Sequence, residues 1–230
     1  MIDVVAFDGD DTLWHNEGLF SVTQERFREL LTPYTEPTVV DERLFETEMR
    51  NLRLFGYGIK GFTLSMIETA IEVSEGKVTA EEVQRIIDAG KSMIGHPVEL
   101  LEGAQEAVEA VARSHRVMLI TKGDLFDQES KLARSGLGDL FWKIEIVSEK
   151  DERTYRRVLD FHGLSAEAFL MVGNSLRSDV LPVLAIGGRA VHVPYHITWA
   201  HEHVEEIDLP DEAFATIDDL WELPQVVASL

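Results

Sequence analysis

Two hydrophobic rhythms run along the chain, and they occupy separate stretches. Val4-Val5-Ala6-Phe7 is apolar at consecutive positions, as in a short strand buried on both faces. From Leu19 the spacing turns helical, through Val22, Phe27, Leu30 and Leu31, until Thr32-Pro33 ends it. Tyr34-Thr35-Glu36-Pro37 reads as a loop. Asp41 is expected to cap a second helix that runs through Leu44, Phe45, Met49 and Leu52 to Phe55. Gly56-Tyr57-Gly58 breaks the pattern, and a third helix is predicted over 60–74. Thr79 with Glu82 three residues later is a capping box for a fourth helix, closing before Gly95-His96-Pro97.

From Val98 the pattern alternates. Helical stretches over 103–113, 126–134, 151–162 and 180–186 are interleaved with short buried runs. These runs are Val117-Met118-Leu119-Ile120, Ile144-Glu145-Ile146-Val147, Phe169-Leu170-Met171-Val172 and Ala190-Val191-His192-Val193, the last clear strand. Asp218 or Asp219 is expected to cap a closing helix. Strand–helix alternation of this kind predicts an α/β fold, a doubly wound (Rossmann-like) parallel sheet with helices on both faces. Four helices inserted after the first strand, with no strand among them, predict a separate module. The expected organisation is a core over 1–15 and 98–230 and an all-helical domain over 16–97.

Composition narrows the class of protein. No run reaches the ~18 consecutive apolar residues of a membrane span, and the amino terminus lacks the pattern of a signal peptide. A soluble cytoplasmic protein with no membrane partner is expected. The 230 residues include no cysteine, which removes disulfides, thiolate metal sites and a Cys nucleophile. Acidic residues outnumber basic ones 42 to 21, for a net charge of −21, so binding of nucleic acid through a basic face is not expected. The same field opposes an anionic substrate at long range, so basic groups or a metal ion must reverse it locally. On whether the chain forms a homodimer the sequence is silent.

The candidate chemistry begins where the first strand stops, at Asp8-Gly9-Asp10-Asp11-Thr12. Asp8 and Asp10, one residue apart at the carboxyl end of a buried strand, repel each other and need a compensating cation. In an open α/β sheet that edge is also where ligands bind. Read this way, Asp8 and Asp10 are a metal-assisted catalytic pair; the alternative is an acidic turn. Three further stretches follow in order: Thr121-Lys122 after the second core strand, Lys150 after the third, and Gly173-Asn174-Ser175-Leu176-Arg177-Ser178-Asp179 after the fourth.

Together these residues resemble the haloacid dehalogenase-like (HAD) hydrolase superfamily, whose first motif is Asp-x-Asp-x-Thr after a strand. The resemblance implies a helical cap between the first and second motifs, and Asp10 points to the phosphatases and mutases rather than to the dehalogenases. It implies Asp8 as nucleophile and Asp10 as the acid and base for the leaving alcohol and the water. Gly9, Thr12, Thr121 and Lys122 would surround the phosphoryl group, and Lys150 would neutralise it. Mg²⁺ would be held by Asp8, the main-chain carbonyl of Asp10, Asn174 and Asp179. Asn174 stands where the family has Asp, Ser178 where it has Asn, and Lys122 where it usually has Asn. An amide oxygen can still coordinate Mg²⁺, with one negative charge fewer. Read alone, Thr121 is equally a helix cap and Lys150 a solvated surface charge.

Two further groups are weighed. Tyr57 and Lys60, among glycines between two helices, are candidate substrate contacts or mere helix punctuation. His192, His196, His201 and His203 could ligate a metal, but a rim of the active-site mouth, or packing with Tyr195 and Trp199, is the favoured reading. The expected function is a Mg²⁺-dependent phosphatase acting on a small phosphorylated metabolite. A phosphomutase, or a binding protein that lost turnover through Asn174, is the alternative.

Overall fold

The computed structural model describes residues 2–197, 199–202, 204 and 212–230. Its contacts divide the chain into two compact units, one of residues 1–17, 98–122 and 128–230, the other of residues 18–97 with 123–127.

The first unit is built on six parallel strands: β1 (Val4–Phe7), β2 (Arg116–Lys122), β3 (Lys143–Val147), β4 (Phe169–Gly173), β5 (Arg189–His192) and β6 (Phe214–Thr216). Their order is β3-β2-β1-β4-β5-β6, so β1 is central, with Phe7 opposite Leu119 on one side and Val172 on the other. Alternate residues of the strands face opposite layers. Val5, Phe7, Val117, Leu119, Leu170 and Val172 pack with α5 (Ala104–Ala112) and α9 (Leu223–Ser229). Val4, Ala6, Met118, Ile120, Phe169 and Met171 pack with Tyr155, Val158 and Leu159 of α7 (Glu152–His162) and Val183 of α8 (Leu181–Ala185). Both faces being covered, the central strands carry apolar residues at every position, and the sheet is α/β and Rossmann-like as expected. The chain first builds outward through β2 and β3, then returns to the other side of β1 for β4. That reversal leaves a crevice at the carboxyl ends of β1 and β4.

The second unit holds α1 (Glu17–Leu31, from its second residue), α2 (Pro37–Phe55), α3 (Ile59–Val73) and α4 (Ala80–Ile94) around Phe27, Leu31, Leu44, Phe62, Met66 and Ile86. The remaining helix, α6 (Leu125–Ser135), begins in this unit and continues in the first. The Thr79–Glu82 capping box forms in both directions. Among the described residues no helix is long and apolar enough to cross a membrane.

Two expectations are corrected. Asp41 does not cap α2: Pro37 opens that helix behind Glu36, and Asp41 lies within it, accepting hydrogen bonds from Gln24 and Arg28 of α1. A Pro at the first helical position wastes no N–H donor, so the helix starts earlier than Asp41 suggested. The sheet also has a sixth strand, β6, whose three residues are too few for an alternation pattern to reveal.

One charge in the helical unit is poorly placed. Burial pushes the Glu48 carboxyl up from 4.5 to about 7, and among the described residues no cation or donor offsets this. The folded state therefore holds a proton that the unfolded chain releases near pH 4.5, and this stability is lost as pH rises from 4.5 to about 7. Glu48→Gln should match wild type near pH 4 and be more stable by about 1–2 kcal/mol at pH 8. Urea denaturation at both pH values checks this.

Candidate active site

The carboxyl ends of β1, β2 and β4 gather the buried polar groups. Asp8 follows β1, and its N–H extends the ladder to the Val172 carbonyl (2.9 Å). The Lys150 ammonium lies between two carboxylates, 2.5 Å from Asp8 Oδ1 and 2.7 Å from Asp179 Oδ1, all three groups out of water. Burial raises the Asp8 carboxyl above the usual range and the Asp179 charge adds to this, with Lys150 opposing. Burial alone would lower Lys150; the charges of Asp179 and Asp8 outweigh it and raise the ammonium instead.

Local packing dictates the glycines here. A Cβ on Gly9 would meet the Trp14 indole at 2.6 Å, so only glycine lets the loop fold over that ring. A Cβ on Gly173 would meet the Asp179 carboxyl at 2.2 Å, so glycine at the end of β4 admits Asp179 against the strand. After Gly173, Leu176–Val180 forms a single wide π turn that carries Asp179, a feature common at functional sites. Ser175 caps it, its hydroxyl oxygen accepting from the Ser178 N–H (3.0 Å), while its own N–H donates to Asp179 Oδ2 (3.0 Å) and the Tyr155 hydroxyl donates to the Ser178 carbonyl from α7 (3.0 Å).

The chain thus brings Asp8, Thr12, Lys150, Asn174 and Asp179 into one connected group. Thr12 Oγ1 stands 3.3 Å from both Asp8 Oδ2 and Asn174 Oδ1, and its one proton can serve only one of them. Thr121, next to last in β2, is fully buried, its hydroxyl 3.3 Å from where a Gly9 Cβ would be, with no hydrogen-bond partner among the described residues. A buried donor without an acceptor at this edge suits an oxygen-rich ligand.

Asp10 is oriented by residues that the sequence did not single out. Its carboxylate accepts from Trp14 Nε1 (2.7 Å), Gln128 Nε2 (2.8 Å) and the Lys131 ammonium (2.9 Å). Gln128 and Lys131 lie one helical turn apart on α6, a spacing that puts both on one face. Asp11 sits at φ 60°, a left-handed position that Asp tolerates better than most side chains. It accepts from the N–H groups of Asn16 and Glu17, and burial lifts its carboxyl to about 6.

Lys122 is engaged by Glu202, another residue without a sequence signal (2.5 Å). Tyr57 and Lys60 belong to the helical unit, where Lys60 pairs with Asp124 (2.8 Å) and lies over the Phe126 ring. Of the histidines, His192 bonds the Asn174 carbonyl (3.0 Å), His196 packs on Tyr195 and His201 on Trp199. His203 lies outside the described residues.

Magnesium takes about six hard oxygen ligands. Asp8 Oδ2 and Asn174 Oδ1 converge on Thr12 Oγ1, and side-chain oxygens of this kind fit the ion. Among the described residues no three His, Asp or Glu side chains form a metal cluster, so the Asn174 amide and the Asp10 main chain would have to complete the set. Asp179 has both oxygens committed, to Lys150 and to the Ser175 N–H.

The family model of haloacid dehalogenase-like hydrolases matches residues 2–187, so the chain belongs to that family of hydrolases. Among solved structures it is similar to a haloacid dehalogenase-like family hydrolase from Xanthomonas campestris, with 48% identity and a TM-score of 0.90 over 99% of this chain and 91% of that one. A 2-haloacid dehalogenase from Pseudomonas syringae pv. tomato shares the fold at 23% identity and TM-score 0.65, covering 99% of both chains. A HAD phosphatase from Thermococcus onnurineus does so at 16% and 0.62, again over 99% of both. No curated protein matches the chain.

Removing the central ammonium would leave two buried carboxylates face to face. Lys150→Met should cost about 3–5 kcal/mol of stability. Asp179→Asn in the same background should restore part of it, by removing one of the two charges. Thermal unfolding of the single and double variants measures the difference.

Proposed function

We propose that the protein is a Mg²⁺-dependent phosphatase that hydrolyses a small phosphorylated metabolite through an aspartyl-phosphate on Asp8. What carries this reading is Asp10. A second carboxylate, two residues after the nucleophile and held by three donors, is of use where a leaving oxygen needs a proton and a water must lose one.

In the first step an Asp8 oxygen bonds to phosphorus, the bond to the alcohol oxygen breaks, and Asp10 gives that oxygen its proton. In the second, water attacks phosphorus, Asp10 takes the water's proton, and the Asp8–phosphorus bond breaks to release inorganic phosphate. Lys150 balances the charge of Asp8 throughout and fixes its carboxylate in one orientation. The unpartnered Thr121 hydroxyl and the main chain about Gly9 and Lys122 offer donors to the equatorial phosphoryl oxygens. Lys131 and Gln128 keep Asp10 in one rotamer for both proton transfers. When bound, Mg²⁺ would supply positive charge to the phosphoryl oxygens, held by Asp8, Asn174 and the Asp10 carbonyl. The substrate is a phosphoester small enough for this crevice.

The test is phosphate release from p-nitrophenyl phosphate and a phosphometabolite panel, with and without Mg²⁺. Asp8→Asn should abolish metal-dependent release, and Asn174→Asp should tighten apparent Mg²⁺ affinity by ~10-fold through the added charge. Halide release from a 2-haloacid, in place of phosphate release, would assign the site to dehalogenation. No turnover of any substrate, with Asn174→Asp silent in Mg²⁺ titration, would favour a binding protein on the same fold.

A further inference from the structure

Beside the phosphoryl site lies a second group of donors. Lys122, Ser175 and Ser178 each neighbour in sequence a residue of that site, namely Thr121, Asn174 and Asp179. All three aim at one carboxylate, that of Glu202, in a short 3-10 turn after β5 (Ala200–Glu202). The Lys122 ammonium is 2.5 Å from Glu202 Oε1, and the hydroxyls of Ser175 and Ser178 are 2.5 and 2.7 Å from Oε2. Lys122 also reaches Ser178 Oγ at 3.1 Å, which closes the ring of donors. The pair is largely out of water, with side-chain exposures of 13% and 14%. Burial disfavours the Glu202 charge, yet Lys122 and the two hydroxyls more than offset this and hold the carboxyl down at about 2.

A lysine and two hydroxyls converging on two oxygens is how proteins bind a free carboxylate or phosphate group. We propose that Lys122, Ser175 and Ser178 form an anion subsite that Glu202 fills from within the chain. Resting on the phosphatase reading, this makes Glu202 a specificity residue. The enzyme takes phosphoesters whose alcohol bears no second anionic group, because the subsite that would receive one is occupied. Among the described residues Glu149 also pairs with Lys122, at 3.6 Å, but it is half exposed and its Oε1 accepts the Lys150 N–H (3.0 Å). The turn that carries Glu202 is tied down independently, since Arg177 donates to the His201 carbonyl at 2.6 Å. Removing one side chain should therefore empty the subsite and leave the turn in place.

The experiment uses acetate as a probe of the emptied subsite. In Glu202→Ala, sodium acetate should raise Tm by about 2 °C or more over sodium chloride at equal ionic strength. Wild type should not respond, and adding Lys122→Met to Glu202→Ala should remove the response. In the kinetic arm, the ratio of kcat/KM for 2-phosphoglycolate to that for p-nitrophenyl phosphate should rise ~10-fold in Glu202→Ala, as the substrate carboxylate takes the place of the Glu202 carboxylate beside Lys122. Acetate stabilising neither protein, or both equally, would overturn the subsite and leave Glu202 as a tether for its turn. Should Glu202→Ala fail to fold, Glu202→Gln keeps the shape and removes the charge, and an unchanged substrate ratio there would overturn the specificity role. Absence of any phosphatase turnover would defeat the phosphatase reading alone, because the acetate response judges the subsite without it.

Discussion

An ammonium buried between two carboxylates, Lys150 between Asp8 and Asp179, is the arrangement the rest of the core is shaped around. Three charges taken out of water are expensive and are rarely kept for stability, since apolar replacements of similar volume are often neutral or better. What the arrangement provides is a carboxylate freed of hydration and held in one orientation. Much of the surrounding sequence answers to it. Gly173 has no side chain because Asp179 stands where its Cβ would be, and the π turn sets Asp179 at the strand end. Tyr155 reaches from α7 to hold the same turn through the Ser178 carbonyl.

The sheet supplies the place for this group. Because the chain changes sides of β1 between β3 and β4, the loops after β1 and β4 diverge and leave room between them. The loop after β1 fills part of that room by winding about the Gly9 carbonyl, which accepts from Leu13 at 2.8 Å. Asp11 then ties the departing chain through the N–H groups of Asn16 and Glu17. Strand end, loop and exit are thus fixed by neighbouring residues, and the carboxylates of Asp8 and Asp10 point to different partners.

Charge in the site is not reversed, since three lysines meet four carboxylates. In a chain of net charge −21, the lysines around Asp8 and Asp10 would be expected to turn the local field positive. Instead Lys122 pairs with Glu202, Lys131 with Asp10, and Lys150 with Asp8 and Asp179. Each lysine orders a carboxylate and gives up most of its long-range pull on an anion in doing so. A divalent cation on Asp8 and Asn174 would supply the positive charge that these lysines no longer offer.

The alternation of strand and helix, the inserted run of helices and the acidic loop after the first strand were all legible in the sequence, because each depends on neighbours a few positions apart. Apolar period, capping box and turn residues act locally, and they set Asp8, Thr121, Lys150 and Asn174 at or just after strand ends, while the roles of these residues were implied only by the resemblance to the HAD hydrolases. Where local signals were weak, tertiary structure decided. The start of α2 followed Pro37 rather than Asp41, and three residues of β6 took their conformation from pairing with β5. The partners of the site residues were hidden for a stronger reason. Gln128 and Lys131 reach Asp10 across more than a hundred positions, and Glu202 reaches Lys122 across eighty. Such contacts arise only when separate strands and helices pack, and no periodicity in a single chain encodes which carboxylate a buried lysine will meet.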